Sequence, residues 1–386
     1  MTSENKAKTG NIILKIVLLL IIAGGIVLAV LFAFQGNTAE AFNWEQLDPR
    51  NLLEALKEEH IGIMDNSFAL GEKQLIQSKL YMDDLLLLTD SDIRLMNSRG
   101  EELWYHTHEL RQPVVQVNEN MVLVYEQNGK SYMVLRDGKV LIRSNLEEEI
   151  SFGEITSTSM LLITANQSGY KRTIYLISPE NGVELGALYI NDYYPYYAKT
   201  IEQADSKQII LSGLGMNSNN ISTIIRLYGD NLNESPITGI ELEGLYPVVY
   251  HAGQKVLFVG ELGAFCYDQA LELSWSKQFD NELLAGGLFD NGGTVFALES
   301  SIAFYNEKGK EVKQLPADSS TDAIEVYKNT AAVISGNEAV FYDFAGNRLG
   351  STVLPGLSLK VHFMNEKKAF IVSEHEAMLH EIDSTN

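Results

Sequence analysis

The chain has 386 residues, of which 45% are hydrophobic and 21% charged, with 51 acidic against 29 basic side chains, a formal net charge of -22 and one cysteine. The apolar share excludes whole-chain disorder, and so acidic a composition excludes nucleic acid as a main partner, because phosphate binding needs a basic surface. The lone Cys266 excludes a disulfide framework and every multi-cysteine metal or redox motif.

In chain order, residues 1–11 read as a cytosolic tail and residues 12–34 as a transmembrane helix, an apolar run from Ile12 to Phe34 interrupted only by Lys15. About 23 helical residues span roughly 34 Å, enough to cross a hydrocarbon core about 30 Å thick. Lys6, Lys8 and Lys15 lie on the amino side, and Glu40, Glu45 and Asp48 follow on the carboxyl side. The positive-inside rule then places the amino terminus in the cytosol and the rest outside, as a single-pass protein of the cell membrane touching the lipid bilayer through residues 12–34. Ala39 and Ala41 have signal-peptidase spacing, so cleavage after Ala41 is the rival reading, although the apolar run exceeds the roughly 7 to 15 residues of a signal h-region. No cysteine follows the run to carry a lipid anchor. Gly25 and Ala29 form a small-xxx-small pair that could seat a second helix. Residues 1–35 hold three lysines and one glutamate, which leaves 26 basic and 50 acidic side chains, a net of -24, on the exterior part.

Residues 35–60 read as a stalk with a short helix: Asp48 is an N-cap, Pro49 takes the first helical position, and Leu52, Leu53 and Leu56 line one face. From about residue 61 to 386 the grammar changes to short strands broken by Gly, Asn and Asp. The chain aligns on itself: segments from Leu85, Val256, Val295, Ala331 and Ala369 each read as strand, tight turn, strand, second turn, strand. The second turn recurs at Gly100, Gly138, Gly182, near Leu232, at Ala270, Gly309 and Gly346, which is a period of roughly 40 residues. That spacing predicts an all-β fold, a β-propeller of about eight four-stranded blades, with seven as the alternative. The eighth repeat stops before its outermost strand, and "IGIMDNSFAL" from Ile61 is expected to supply it and close the ring.

The turn "NSRGEELW" ending in Trp104, and more loosely "DQALELSW" ending in Trp275, resembles the outer-strand signature of pyrroloquinoline-quinone-type propellers, a repeat also found in outer-membrane assembly lipoproteins. The tail, single span and exterior propeller together resemble a family of uncharacterised membrane-anchored proteins of Gram-positive bacteria, built on a domain of unknown function. That resemblance implies no catalytic residues. Quinoprotein dehydrogenases of this fold use a quinone, a calcium site and often adjacent cysteines, and no cysteine pair or calcium loop is legible here. No cofactor, metal or catalytic residue is therefore expected.

His375 and His380 are five apart, which does not fit a helical zinc motif, and His380 takes a strand position held by tyrosine in other repeats. His106 and His108 share a strand face but lack a third ligand, Cys266 matches Phe304 as a small core residue, and the glycines from Gly213 sit in a long hairpin with no helix after it. Two constellations remain. The turns between second and third strands carry Asp90 and Asp92, Glu126, Glu261, Glu299, Glu338, and Glu374 with Glu376, carboxylates that should meet on one rim and attract cations or basic peptides. Tyr189, Tyr193, Tyr194, Tyr196 and Tyr197 form an aromatic run, of which Tyr193 and Tyr194 are the candidate platform for a sugar or peptide.

The expected function is a non-catalytic binding or scaffold module for an envelope protein, peptide or glycan. The alternative is an envelope enzyme, hydrolase or oxidoreductase, with its site in the central channel. A signalling role is weakened by the short cytosolic tail.

Overall fold

The computed structural model describes residues 67–165, 169–203, 206–217, 220–232, 235–317, 321–353 and 359–382. Two compact units divide the chain, Met1–Ile63 and Met64–Asn386, and every described residue belongs to the second. The tail, the span at 12–34, the stalk and the cleavage site lie outside the described residues. Among the described residues no helix is long and apolar enough to cross a membrane.

Six four-stranded sheets and one seven-stranded sheet follow one another along the chain, all antiparallel. The first is built from Leu75–Tyr81, Asp84–Thr89, Asp92–Met96 and Glu102–Thr107. The second, seven-stranded sheet runs from Pro113–Asn118 to Glu184–Ile190 and is two four-strand groups sharing Lys139–Ile155, which pairs with Gly129–Arg136 along its first part and Met160–Thr164 along its last. The third, fourth, fifth and sixth begin at Tyr194–Gln203, Val248–Ala252, Leu283–Leu288 and Ala323–Tyr327. The seventh begins at Lys360–Asn365, and its outermost strand comes from the other end of the described chain: Ser67–Ala69 pairs with Glu376–Glu381, Phe68 opposite Ala377. The closure expected from residues around Ile61 is thus made by Ser67–Ala69, which covers the edge of the closing sheet.

Each sheet's first strand is innermost. Leu75–Tyr81 packs beside Pro113–Asn118 and Lys360–Asn365, Lys139–Ile155 beside Tyr194–Gln203, and Leu283–Leu288 between Val248–Ala252 and Ala323–Tyr327. Middle strands are apolar without alternation, as in Asp84–Thr89 and Thr294–Leu298, because both of their faces pack on neighbouring sheets. Outer strands such as Glu311–Pro316 alternate between exposed and half-buried. A buried cluster joins the last sheet to the first, with Leu85, Leu87 and Leu70 against Phe370 and Val372.

The turn between third and fourth strands explains the period. In Asn97–Glu101 the Asn97 side-chain oxygen accepts from the amides of Arg99 and Glu101, and Gly100 sits at φ +75°. Asp268, Asn306 and Asp343 repeat the arrangement. In the fourth sheet the left-handed residue is Leu271 at φ +61°, one beyond the Ala270 expected from the sequence. A Cβ on Gly138 would come within 2.6 Å of Trp104, and one on Gly309 within 2.8 Å of Trp275. In these two outer strands the tryptophan therefore docks on the turn glycine of the following strand group. Phe68 does the same to Gly100, where a Cβ would approach it to 2.5 Å, so the closing strand reproduces the same contact across the seam.

Candidate functional site

The second-to-third turns share one face with the connections from each outer strand to the next inner strand. Backbone hydrogen bonds tie the two sets: His108 N donates to Ser91 O at 2.9 Å, Gln127 N to Gln112 O at 2.9 Å, Phe279 N to Leu262 O at 2.8 Å, and Ala317 N to Ser300 O at 3.0 Å. Across the seam, Leu70 N donates to His375 O at 2.8 Å. Antiparallel pairing then brings Asp90, Glu126, Glu261, Glu299, Glu338 and Glu374 to this one face. Asp90, Glu261, Glu299 and Glu374 are exposed. Glu126 is half-buried, its Oε1 accepting from Arg111 N at 3.2 Å, beside an open cleft of about 790 Å³. Glu338 has Arg348 Nη2 at 3.8 Å, and Glu376 is half-buried in the strand that pairs with Ala69.

Asp92 departs from the expectation. It is 1% exposed, ion-paired with Lys73 and with Arg94 Nε at 3.1 Å, and its amide donates to Thr89 Oγ1 at 3.0 Å. Burial works to raise its carboxyl, but Lys73, Arg94 and Thr89 outweigh burial and hold it low. Asp92 locks the turn and the connection before it, and offers nothing to a ligand.

The tyrosine platform also dissolves. Tyr193 is 1% exposed in the cluster with Ile190 and Tyr228, because the third sheet packs over it, and burial pushes its phenol far up. Tyr194 is half-buried under Lys171, whose ammonium lies 4.6 Å from the ring centroid. Tyr196 donates to Tyr246 O at 2.9 Å, Tyr197 packs on Phe152, and the exposed Tyr189 meets Tyr170 at 4.9 Å between ring centroids. These five rings thus serve several packing contacts and do not form one shared surface.

The central channel was expected from the sequence only as the place of an alternative enzyme site, with none of its residues named. Its inner strands carry a belt of ionisable groups: Glu154, Lys199, His251, Glu325, His362 and Lys79. Glu154 Oε1 pairs with Lys199 Nζ at 2.8 Å, while its Oε2 accepts from Thr200 N at 2.8 Å; burial nonetheless drives its carboxyl up. Glu325 is raised by burial too, against the pull of Lys79 and Lys360. His362 lies 2.7 Å from Ser78 Oγ, and burial together with Lys79 and Lys360 lowers it to about 3, so it is neutral at pH 7. His251 is lowered by burial and by Lys199. Tyr250, His251, Glu325, Tyr327, Asp290 and Lys328 line a cavity of about 260 Å³ at the end of the channel away from the carboxylate face. The available signal was a charged or imidazole side chain inside several of the inner strands, as in "KVHFMN" or "AIEVY", although Pro113–Asn118 and Leu283–Leu288 carry none.

Among the described residues no three His, Cys, Asp or Glu side chains converge to hold a metal ion. His106 Nε2 contacts Gly138 O, in the turn of the following strand group, at 2.7 Å, and His108 Nε2 contacts Thr89 O at 3.2 Å, so the two histidines serve two different turns. His380 stacks on Phe341 at 5.3 Å, and Cys266 is fully buried, its thiol pushed up to about 11.

No curated protein matches the chain. Three solved structures are similar. BamB from Moraxella catarrhalis has 11% identity, with 82% of this chain and 99% of that one covered at a TM-score of 0.57. Sqt1 of Saccharomyces cerevisiae has 9% identity, with 82% and 98% covered at 0.63. Apo AztD from Citrobacter koseri has 10% identity, with 74% and 87% covered at 0.51. At such identities the likeness is one of fold, and the fold is a β-propeller. The profile of a family of unknown function, DUF5711, matches residues 64–378, and the chain belongs to that family.

Proposed function

We propose that the protein is a membrane-anchored, extracytoplasmic scaffold whose eight-bladed propeller binds an envelope protein, peptide or glycan through the face of the second-to-third turns. Eight blades follow if the seven-stranded sheet counts as two. The observation that carries the binding reading is the state of that face: Asp90, Glu261, Glu299 and Glu374 stand exposed on it, with no ion-pair partner among the described residues. Hydrated, unpaired carboxylates on one rim attract a cationic partner before contact and can be neutralised by it.

The enzyme reading has one feature on its side, the Ser78–His362 contact in the channel. A hydrolase needs that imidazole to accept the serine proton near neutral pH, usually with a carboxylate behind it. Burial and two neighbouring lysines instead weaken it as a base, to about 3. A fluorophosphonate probe should leave Ser78 unlabelled, and stoichiometric labelling abolished by Ser78→Ala would favour the enzyme.

Three experiments test the proposal. Alkaline phosphatase fused after Asn386 should be active outside the cell, and an inactive fusion would overturn the topology. Proximity crosslinking from the anchored protein should recover envelope neighbours that are lost from a Glu261→Gln, Glu299→Gln, Glu374→Gln variant; equal recovery would remove the face from the account. For the ring, Phe68→Ala should destabilise the fold by about 3 kcal/mol in urea, as Trp104→Ala should, since both empty the same kind of contact. A silent Phe68→Ala would mean that closure rests elsewhere.

A further inference from the structure

One part of the carboxylate face is apolar. The hairpin of the third sheet, Ser206–Asn217 and Asn220–Gly229, has strands of 12 and 10 residues, whereas the corresponding strands of the fourth sheet, Lys255–Val259 and Gly263–Asp268, have 5 and 6. Near its tip Met216 and Ile221 pair directly across the strands, and they are 62% and 56% exposed. Single exposed apolar residues need no explanation, but these continue into a row. Ile221 O accepts from Gly244 N at 3.0 Å, and the next residue, Leu245, is 48% exposed. The Leu245 carbonyl lies against Gly260, where a Cβ would meet it at 2.5 Å, and Leu262, two residues on, is 49% exposed. Glu261 O then accepts from Leu283 N at 2.9 Å, beside the exposed Leu284. Backbone contacts therefore sew Ile221, Leu245, Leu262 and Leu284 into adjoining segments across three sheets.

The charges around this row have one sign. Glu241 and Glu243 end the strand before Leu245, Glu261 precedes Leu262, and Asp280 and Glu282 precede Leu284. All five are exposed, and none has an ion-pair partner among the described residues. The cation in the neighbouring strand, Lys277, is occupied, with its ammonium 4.4 Å from the Tyr305 ring centroid and 5.8 Å from that of Phe279. An apolar row asks for aliphatic anchors on one side of a partner, and the carboxylates beside it ask for lysine or arginine flanking those anchors.

We propose that this row, from the Met216–Ile221 pair to Leu284, docks a basic amphipathic helical segment of a protein partner. The proposal rests on the binding role assigned to this face and names the chemistry of the occupant. The longer strands carry the exposed Met216–Ile221 pair to one end of the row; the carboxylates draw the segment in and the leucines hold it.

The test uses the full chain in detergent and a labelled 18-residue lysine–leucine peptide with helical amphipathic spacing, against a scramble of the same composition. Fluorescence anisotropy should show the amphipathic peptide binding at least tenfold more tightly than the scramble. Leu245→Ser with Leu262→Ser should weaken it at least tenfold, and Glu261→Gln with Glu282→Gln should weaken it and flatten its salt dependence. Val183→Ser with Leu185→Ser, an exposed apolar pair on the outer strand Glu184–Ile190 and the turn before it, should change nothing. Equal binding of the scramble, or unchanged binding by the leucine variant, would overturn the proposal by reducing the row to a generic acidic surface. Binding of phosphatidylcholine vesicles lost in the same leucine variant would overturn it in favour of a lipid surface. The crosslinking experiment separates the two readings: no envelope neighbour from the wild type defeats the binding role, whereas neighbours retained by Leu245→Ser with Leu262→Ser defeat only this docking row.

Discussion

The turn-bearing face and the central channel both collect ionisable side chains, and they hold them in opposite ways. On the face, carboxylates such as Glu261 and Glu374 stand in water without ion-pair partners among the described residues. In the channel, Glu154 is clamped by Lys199 and Thr200, His362 by Ser78, and burial shifts each away from its charged form. Charge left hydrated can be given to a partner at little cost, whereas charge already enclosed is committed to the fold. This difference supports the proposal that the face recognises a partner and ties the channel's charges to the fold, although a catalytic chemist would look first at the channel.

The strongest attempt to break this division is Glu154→Leu. It leaves Lys199 and the Thr200 amide without their carboxylate in an enclosed place, and should cost about 3 kcal/mol in urea unfolding while leaving partner recovery from the face intact. A second test is pH. His362 has a folded pKa of about 3, below an unfolded value near 6.5, so the unfolded state binds the extra proton between those limits. Its contribution is present above about pH 6.5 and is lost as pH falls through that window toward 3. His362→Gln should flatten the pH dependence of stability there by up to about 1.4 kcal/mol per pH unit. Glu325 acts with the opposite sign: burial raises its folded pKa, so its charge works against the fold as pH rises. Glu325→Gln should therefore stabilise the protein at pH 7, and a loss of stability would mean that Lys79 and Lys360 need its charge. On the face, Glu261→Gln and Glu374→Gln should each change stability by less than about 0.5 kcal/mol while weakening partner recovery.

Architecture was legible because much of the repeat is written in local chemistry: at four turns an Asn or Asp that hydrogen-bonds its own turn with a left-handed position three residues on, and at three turns an aromatic docking on the turn glycine. The one displaced turn, at Leu271, came from a non-glycine residue in the left-handed position, which composition does not flag. The rim was legible as a row of turns but not residue by residue. Asp92 looked like its neighbour Asp90 until Lys73, from the connection before the first sheet, reached it. Tyr193 read as part of a platform because the third sheet, which covers it, cannot be seen along one strand. The channel was illegible for a related reason: its members come singly from strands that are far apart in sequence, and only closure of the ring brings them into one belt.

The most direct measurement is partner recovery by proximity crosslinking from cells, with face and channel variants of equal expression measured side by side. The account predicts that Glu261→Gln with Glu374→Gln loses the neighbours held by the wild type while His362→Gln keeps them. Retention by the face variant and loss by the channel variant would contradict it.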